Sequence, residues 1–147
     1  MREPNEGLCA MGHWADILLV DDDPASRQSV ASALQREGCR VRPAANAVEA
    51  FMQAARGPYD LVLLDLDMPG LSGVEALPYL RRCAPDTPIV VMTDEARGPE
   101  DRVMLRGAQC VLRKPVDLAI VVGVARLALA RGSGASAPLP ARAESVV

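Results

Sequence analysis

Three segments of this chain are apolar at every position: Ile17–Val20, Leu61–Leu64 and Ile89–Met92. A strand with one face in water alternates apolar and polar residues, so unbroken apolarity implies cover on both faces, as for a strand inside a parallel sheet. Two weaker segments, Arg40–Arg42 and Val111–Arg113, continue the same rhythm. Parallel neighbours cannot be joined by a tight turn and need a crossover, usually a helix. The pattern therefore predicts repeated βαβ units, an α/β fold with a doubly wound parallel sheet and helices on both faces.

Local signals place the helices. The first opens with Asp23 as N-cap and Pro24 at the first helical position, and Gly38 closes it. The second spans Asn46 to Arg56 and stops at Gly57-Pro58. Ser72-Gly73-Val74-Glu75 reads as a capping box for the third, with Pro78 expected to bend it or shift its start. A short fourth follows Gly98-Pro99, and the last runs from Asp117 as N-cap to about Arg131.

A length of 147 residues is room for one domain. Residues 1–15 read as a flexible N-terminal extension and 16–131 as the folded domain. Residues 132–147, rich in Gly, Ser, Ala and Pro, read as a disordered tail too poor in apolar surface to order itself. With no second folded module expected, the chain reads as a stand-alone domain. Sixteen Lys and Arg stand against nineteen Asp and Glu, a net charge of −3, with no lysine-rich run. Nucleic acid and anionic membranes are therefore not expected partners. Cys9, Cys39, Cys83 and Cys110 lie far apart with His13 as the only histidine, which removes zinc and thioredoxin-like readings and leaves them as small core residues of a reducing compartment. No segment resembles a signal peptide or a membrane span, so a cytoplasmic location is expected.

In a doubly wound sheet, ligands bind beyond the carboxyl ends of the strands. The polar residues that end the apolar runs are Asp21 and Asp22, Asp65, Thr93 and Lys114. Three converging carboxylates repel one another unless a cation lies between them. An all-oxygen set of this kind suits a hard ion that keeps several waters, and Mg²⁺ is the natural choice. Lys114 adds a fixed positive charge and Thr93 a hydroxyl donor, so a phosphoryl group bound there would meet the components that stabilise its oxygens.

Val20-Asp21-Asp22-Asp23-Pro24, Leu63-Leu64-Asp65-Leu66-Asp67-Met68-Pro69-Gly70, Val91-Met92-Thr93 and Arg113-Lys114-Pro115, in this order and spacing, resemble the receiver domain of bacterial response regulators. The resemblance implies a five-stranded sheet of flavodoxin-like order 2-1-3-4-5. It implies that Asp65 accepts a phosphoryl group from a histidine kinase or histidine phosphotransfer protein. It further implies that Asp22 coordinates Mg²⁺ with Asp21 assisting through water, and that the backbone carbonyl of Asp67 completes the metal site. Lys114, preceding a cis Pro115, would pair with the phosphoryl oxygens, and Thr93 would move to bond one of them. Such a domain is a phosphoacceptor and not an enzyme acting on a separate substrate. Asp23, followed by Pro24, reads as a helix cap and not as a ligand.

Three positions depart from the family pattern. Val111 stands where Tyr or Phe is usual, so an aromatic switch is missing. Asp94 follows Thr93 where a small residue is usual, and should add bulk and charge at the mouth of the site. Arg126 is the only charge between Leu118 and Ala130, so this helix, with Val111, is expected to form an apolar signalling face for a downstream protein or a homodimer. The alternative is a receiver-fold interaction module acting with little or no phosphorylation. Asp65-Leu66-Asp67 also resembles the paired acids of haloacid dehalogenase-type phosphatases. That reading fails on the motif's place in the third strand, on Pro69-Gly70 after it, and on the lack of room for a cap domain.

Overall fold

The computed structural model describes residues 15–70, 73–94, 107–132 and 142–144. Within them the expected strands form as β1 (Asp16–Val20), β2 (Arg40–Ala44), β3 (Leu61–Asp65), β4 (Ile89–Thr93) and β5 (Cys110–Arg113). All pair in parallel in the order β2-β1-β3-β4-β5, the expected flavodoxin-like order. One strand was not anticipated. Arg142–Glu144 forms β6 alongside β5, within the segment read from composition as a disordered tail. Composition counts the apolar area a segment can bury, but not the unpaired backbone groups that a sheet edge offers to any passing chain.

Side chains alternate between the two faces of each strand, so the apolar runs feed two separate cores. Ile17, Leu19, Leu61, Leu63, Val90, Met92 and Leu112 face one way, against Val30 and Leu34 of α1 (Pro24–Arg36) and Val121, Val124 and Ala128 of α4 (Leu118–Gly132). Leu18, Val20, Val62, Leu64, Ile89, Val91 and Val111 face the other way, against Ala50 of α2 (Ala47–Ala54) and Leu77 and Leu80 of α3 (Gly73–Cys83). Burying one such leucine or valine is worth roughly 1.5–3 kcal/mol, which is why the central strands are apolar on both sides. The edge strand β2, with Arg40, Arg42 and Pro43 exposed, carries the charge and proline that protect an open edge.

The helix signals act as read. The Asp23 carboxylate accepts from the Ala25 and Ser26 N–H groups, each at 3.3 Å, and Gly38 closes α1 at φ +91°. Asn46 Oδ1 accepts from Glu49 N at 2.9 Å while Glu49 Oε2 accepts from Ala45 N, a reciprocal cap on α2. Asp117 caps α4 through the Ala119 N–H at 2.8 Å. The third helix runs through Pro78 to Cys83, held by the burial of Ala76, Leu77 and Leu80. Ser72 and the short helix after Gly98-Pro99 lie outside the described residues, as do Cys9 and His13. Cys39 and Cys110 are core residues as expected, whereas Cys83 is exposed.

One expectation about the signalling face is corrected. Val111 is buried under the α2 and α3 side of the sheet, whereas α4 covers the opposite side, so the two do not share one surface. The guanidinium of Arg126 contacts the carboxylate of Glu37, the C-cap residue of α1. On α4, Ala119 and Leu127 face outward, Val122 and Leu129 are half-buried and Ala125 is buried.

Candidate functional site

Strand register assembles the site. Val20 pairs with Leu64, so Asp21 and Asp65 leave the sheet at nearly the same level. Asp65 pairs with Met92 and Thr93 with Arg113, which sets Thr93 and Lys114 one step further along. Among the described residues, Asp21, Asp65 and Thr93 are the buried polar or charged ones, each no more than 1% exposed.

Asp65 lies at the centre. Its Oδ1 accepts from the Lys114 ammonium at 2.7 Å and from the Asp67 N–H at 2.9 Å. Its Oδ2 is buried without a hydrogen-bond partner, and so is Asp21 Oδ2. Asp21 Oδ1 accepts from Asp23 N at 3.0 Å, which ties the end of β1 to the start of α1. Arg27 reinforces that junction by donating to the Asp21 carbonyl at 2.7 Å. The Lys114–Pro115 peptide is cis, as the resemblance implied.

One carboxylate oxygen from each of Asp21, Asp22 and Asp65 lies within 4.8 Å of the others. Two buried carboxylate oxygens without donors, beside a third carboxylate, are costly in a protein interior and suit a hard divalent cation. The electrostatics agree. Burial pushes the Asp65 carboxyl up to about 6, against the opposing pull of Lys114 and the Asp67 N–H, with the Asp21 charge pushing in the same direction as burial. Burial pulls the Lys114 ammonium down, but its contacts with Asp65, Asp67 and Asp21 outweigh this and hold it above its ordinary value.

Sequence reasoning gave Asp67 a role only through its backbone carbonyl. Its side chain turns into the site, where Oδ1 accepts from Thr93 Oγ1 at 3.1 Å and Oδ2 from the Asp94 N–H at 2.8 Å. Lys114 Nζ is 3.5 Å from the same Oδ2. The exposed Asp94 thus meets the site through its backbone. Sequence reasoning also missed Gly73. A Cβ there would fall 2.4 Å from the Asp65 carbonyl oxygen and 2.7 Å from Leu66 Cα, so only glycine lets α3 start this close to the end of β3. The D-x-D spacing pointed to Asp67, and the glycine of the capping segment to Gly73, but neither signal carries a direction in space.

A doubly wound α/β domain with strand order β2-β1-β3-β4-β5, whose strand ends converge on a buried aspartate, two further acids, a lysine and a threonine, is a domain of the flavodoxin-like fold class. The chain belongs to the response regulator receiver domain family, which it matches over residues 17–125. It is 36% identical over 117 residues to the DNA-binding transcriptional regulator NtrC of Rhizobium meliloti, covering 79% of this chain and 24% of that protein. The chain therefore spans about a quarter of that relative's length. Among solved structures, a CheY-like receiver domain protein from Methanospirillum hungatei superposes with a TM-score of 0.80 at 26% identity, over 83% of this chain and 98% of that one. A response regulator from Burkholderia pseudomallei, described with a phosphorylated aspartic acid, calcium ion and citrate, superposes with a TM-score of 0.72 at 25% identity, over 82% of this chain and 71% of that one. Receiver domains are modules of two-component signalling, and membership implies a phosphoacceptor role. Among the described residues, no helix is long and apolar enough to cross a membrane.

Proposed function

We propose that Asp65 accepts a phosphoryl group from a histidine kinase or histidine phosphotransfer protein, in a reaction that requires Mg²⁺, and that the response leaves the domain through protein contact. The observation that carries this reading is the state of Asp65: buried, one oxygen fixed by Lys114 at 2.7 Å and the other without a partner, with a carboxylate oxygen of Asp21 and one of Asp22 clustered with one of its own within 4.8 Å. The Burkholderia response regulator with its phosphorylated aspartic acid and calcium ion supports the same chemistry here.

Asp21, Asp22 and Asp65 would hold Mg²⁺, with the Asp67 carbonyl as a further ligand. Bound there, the ion would offset the carboxylate charges and withdraw electron density from the phosphoryl oxygens. The chain's own groups do the rest. Lys114 orients the Asp65 carboxylate and stays charged beside it, ready to meet phosphoryl oxygens. Thr93 supplies a hydroxyl at the adjoining strand end, and the surrounding core excludes bulk water from Asp65. A partner reading the phosphorylated state would find exposed apolar side chains at Val48 and Met52 of α2, Tyr79 of α3 and Leu127 of α4.

The test is incubation with acetyl phosphate and Mg²⁺, followed by intact-mass measurement. One phosphoryl adduct should form on the parent and none on Asp65→Asn or in the presence of a chelator. A parent that gains no mass with either this donor or a kinase, or an adduct that survives Asp65→Asn, would sink the reading.

A further inference from the structure

Three of the four large apolar side chains exposed among the described residues share one face of the domain. Val48 and Met52 stand one turn apart on α2, 64% and 57% exposed, and Tyr79 stands on the neighbouring α3, 54% exposed. The Tyr79 ring packs edge-on against Phe51 of α2, with centroids 5.8 Å apart and planes at 63°, so the two helices hold an aromatic platform between them. Single apolar residues are ordinary on a surface, but a group of this kind marks a contact site.

The charges that frame this face decide what fits it. Glu49 and Glu75 lie in the first turns of α2 and α3, Arg82 in the last turn of α3 and Arg56 just beyond the C-cap of α2, all of them exposed. On each helix the acid precedes the base by seven residues, or two turns, which puts both on one stripe. Both helices cross between parallel strands and so run in the same direction, which gives the face an acidic end and a basic end. A face polarised in this way is complementary to itself after a half-turn about an axis that crosses both helices. Under that operation each helix meets its own copy in antiparallel. Glu49 then opposes Arg56 of the second copy and Glu75 opposes Arg82, with Val48, Met52 and Tyr79 between them. A half-turn about an axis along the helices would instead set acid on acid.

We propose that the α2–α3 face is an interaction surface for a second copy of this chain, which it binds as a two-fold dimer with antiparallel helix pairs. The proposal is independent of the reading of Asp65 as acceptor. An interface of standard size buries about 800 Å² per partner, more than three side chains expose, so the charged stripes must lie inside it together with the apolar centre. The centre supplies most of the affinity, and the charges set the register.

Sedimentation velocity on the full chain tests this. The parent should pass from monomer to dimer below about 200 µM, the range of a weak interface. Met52→Glu and Tyr79→Ser should each weaken the dimer by about tenfold or more, whereas Leu127→Ser, at the exposed apolar residue of α4 across the sheet, should leave it unchanged. Glu75→Arg and Arg82→Glu should each weaken it about fivefold, because every substitution acts twice in a two-fold dimer, and the two combined in one chain should recover the parent's affinity. These charge reversals leave the apolar centre intact, so the test does not depend on the fold of either apolar variant. A parent that stays monomeric, or a dimer indifferent to Met52→Glu and Tyr79→Ser, would overturn the proposal. So would a dimer lost in Leu127→Ser, or a double charge reversal that associates no better than the single ones.

Discussion

Lys114 and Asp65 meet across the ends of β5 and β3, Nζ to Oδ1 at 2.7 Å, while the second Asp65 oxygen is buried without a partner. The pair is thus only half of a balanced site. One cation compensates one carboxylate while the other acids remain, an arrangement that favours a proton or a metal ion at Asp65.

The pH dependence of the metal-free protein follows from this. Burial holds the Asp65 carboxyl at about 6, above its ordinary 3.8, so the folded state binds this proton more tightly than the unfolded chain does. The contribution of protonated Asp65 to stability is therefore complete below pH ~4 and lost as pH rises through about 6, on the order of 2–3 kcal/mol. Denaturant melts of parent and Asp65→Asn across pH 4–8 without metal should diverge in this window, with the variant the more stable at neutral pH. Parallel curves would contradict it. Adding Mg²⁺ at neutral pH should stabilise the parent and leave Asp65→Asn nearly unchanged.

Asp22 and Asp23 are neighbours with separate tasks. Asp22 faces Asp21 and Asp65, whereas the Asp23 carboxylate is committed to the N–H groups that start α1. Asp22→Ala should abolish Mg²⁺ binding and metal-dependent phosphorylation. Asp23→Ala should keep both and lower stability by about 1 kcal/mol. Calorimetric titration with Mg²⁺ checks the assignment, and loss of binding in the Asp23 variant alone would reverse it.

Two glycine-to-alanine changes should have opposite signs. At Gly73 the new methyl meets the backbone of Asp65 and Leu66, which cannot move without displacing the acceptor. A loss of about 1–3 kcal/mol and a slower phosphorylation rate are expected. At Gly123, in the exposed part of α4, a Cβ meets nothing within 4 Å, so alanine should stabilise by about 0.5–1 kcal/mol. Thermal melts and adduct rates on the two variants measure both effects.

Arg81 is a structural clamp outside the site. Its guanidinium donates to the carbonyls of Ala84, Pro85 and Thr87 before β4 and to Gly107 on the approach to β5, at 2.6–3.2 Å. Arg81→Ala should cost about 2–3 kcal/mol, and Arg81→Lys nearly as much, because an ammonium cannot reproduce the planar fork. Mg²⁺ affinity should stay within about twofold of the parent for both, as the residue touches none of the strand-end acids.

Ile17–Val20, Leu61–Leu64 and Ile89–Met92 were legible as central strands because cover on both faces leaves its mark on every residue, and Asp23, Asn46 and Asp117 as helix starts because a cap satisfies donors only two or three positions away. Asp21, Asp22, Asp65, Thr93 and Lys114 could be picked out for a similarly local reason: each is polar where an apolar run stops. The sequence alone thus determined β1 to β5, helices α1 to α4, the parallel arrangement of those strands and the identity of the strand-end residues. Tertiary structure decided what depends on partners distant in the chain. The placing of Val111 on the sheet face opposite α4 follows from strand register, the contact of Arg126 with Glu37 from how α4 meets α1, and the pairing of β6 from the open edge of β5. The turn of the Asp67 carboxylate onto Thr93 and Asp94 is of the same kind, because a side chain in a loop takes its direction from donors on another strand, 26 and 27 residues away, and no local periodicity encodes that distance.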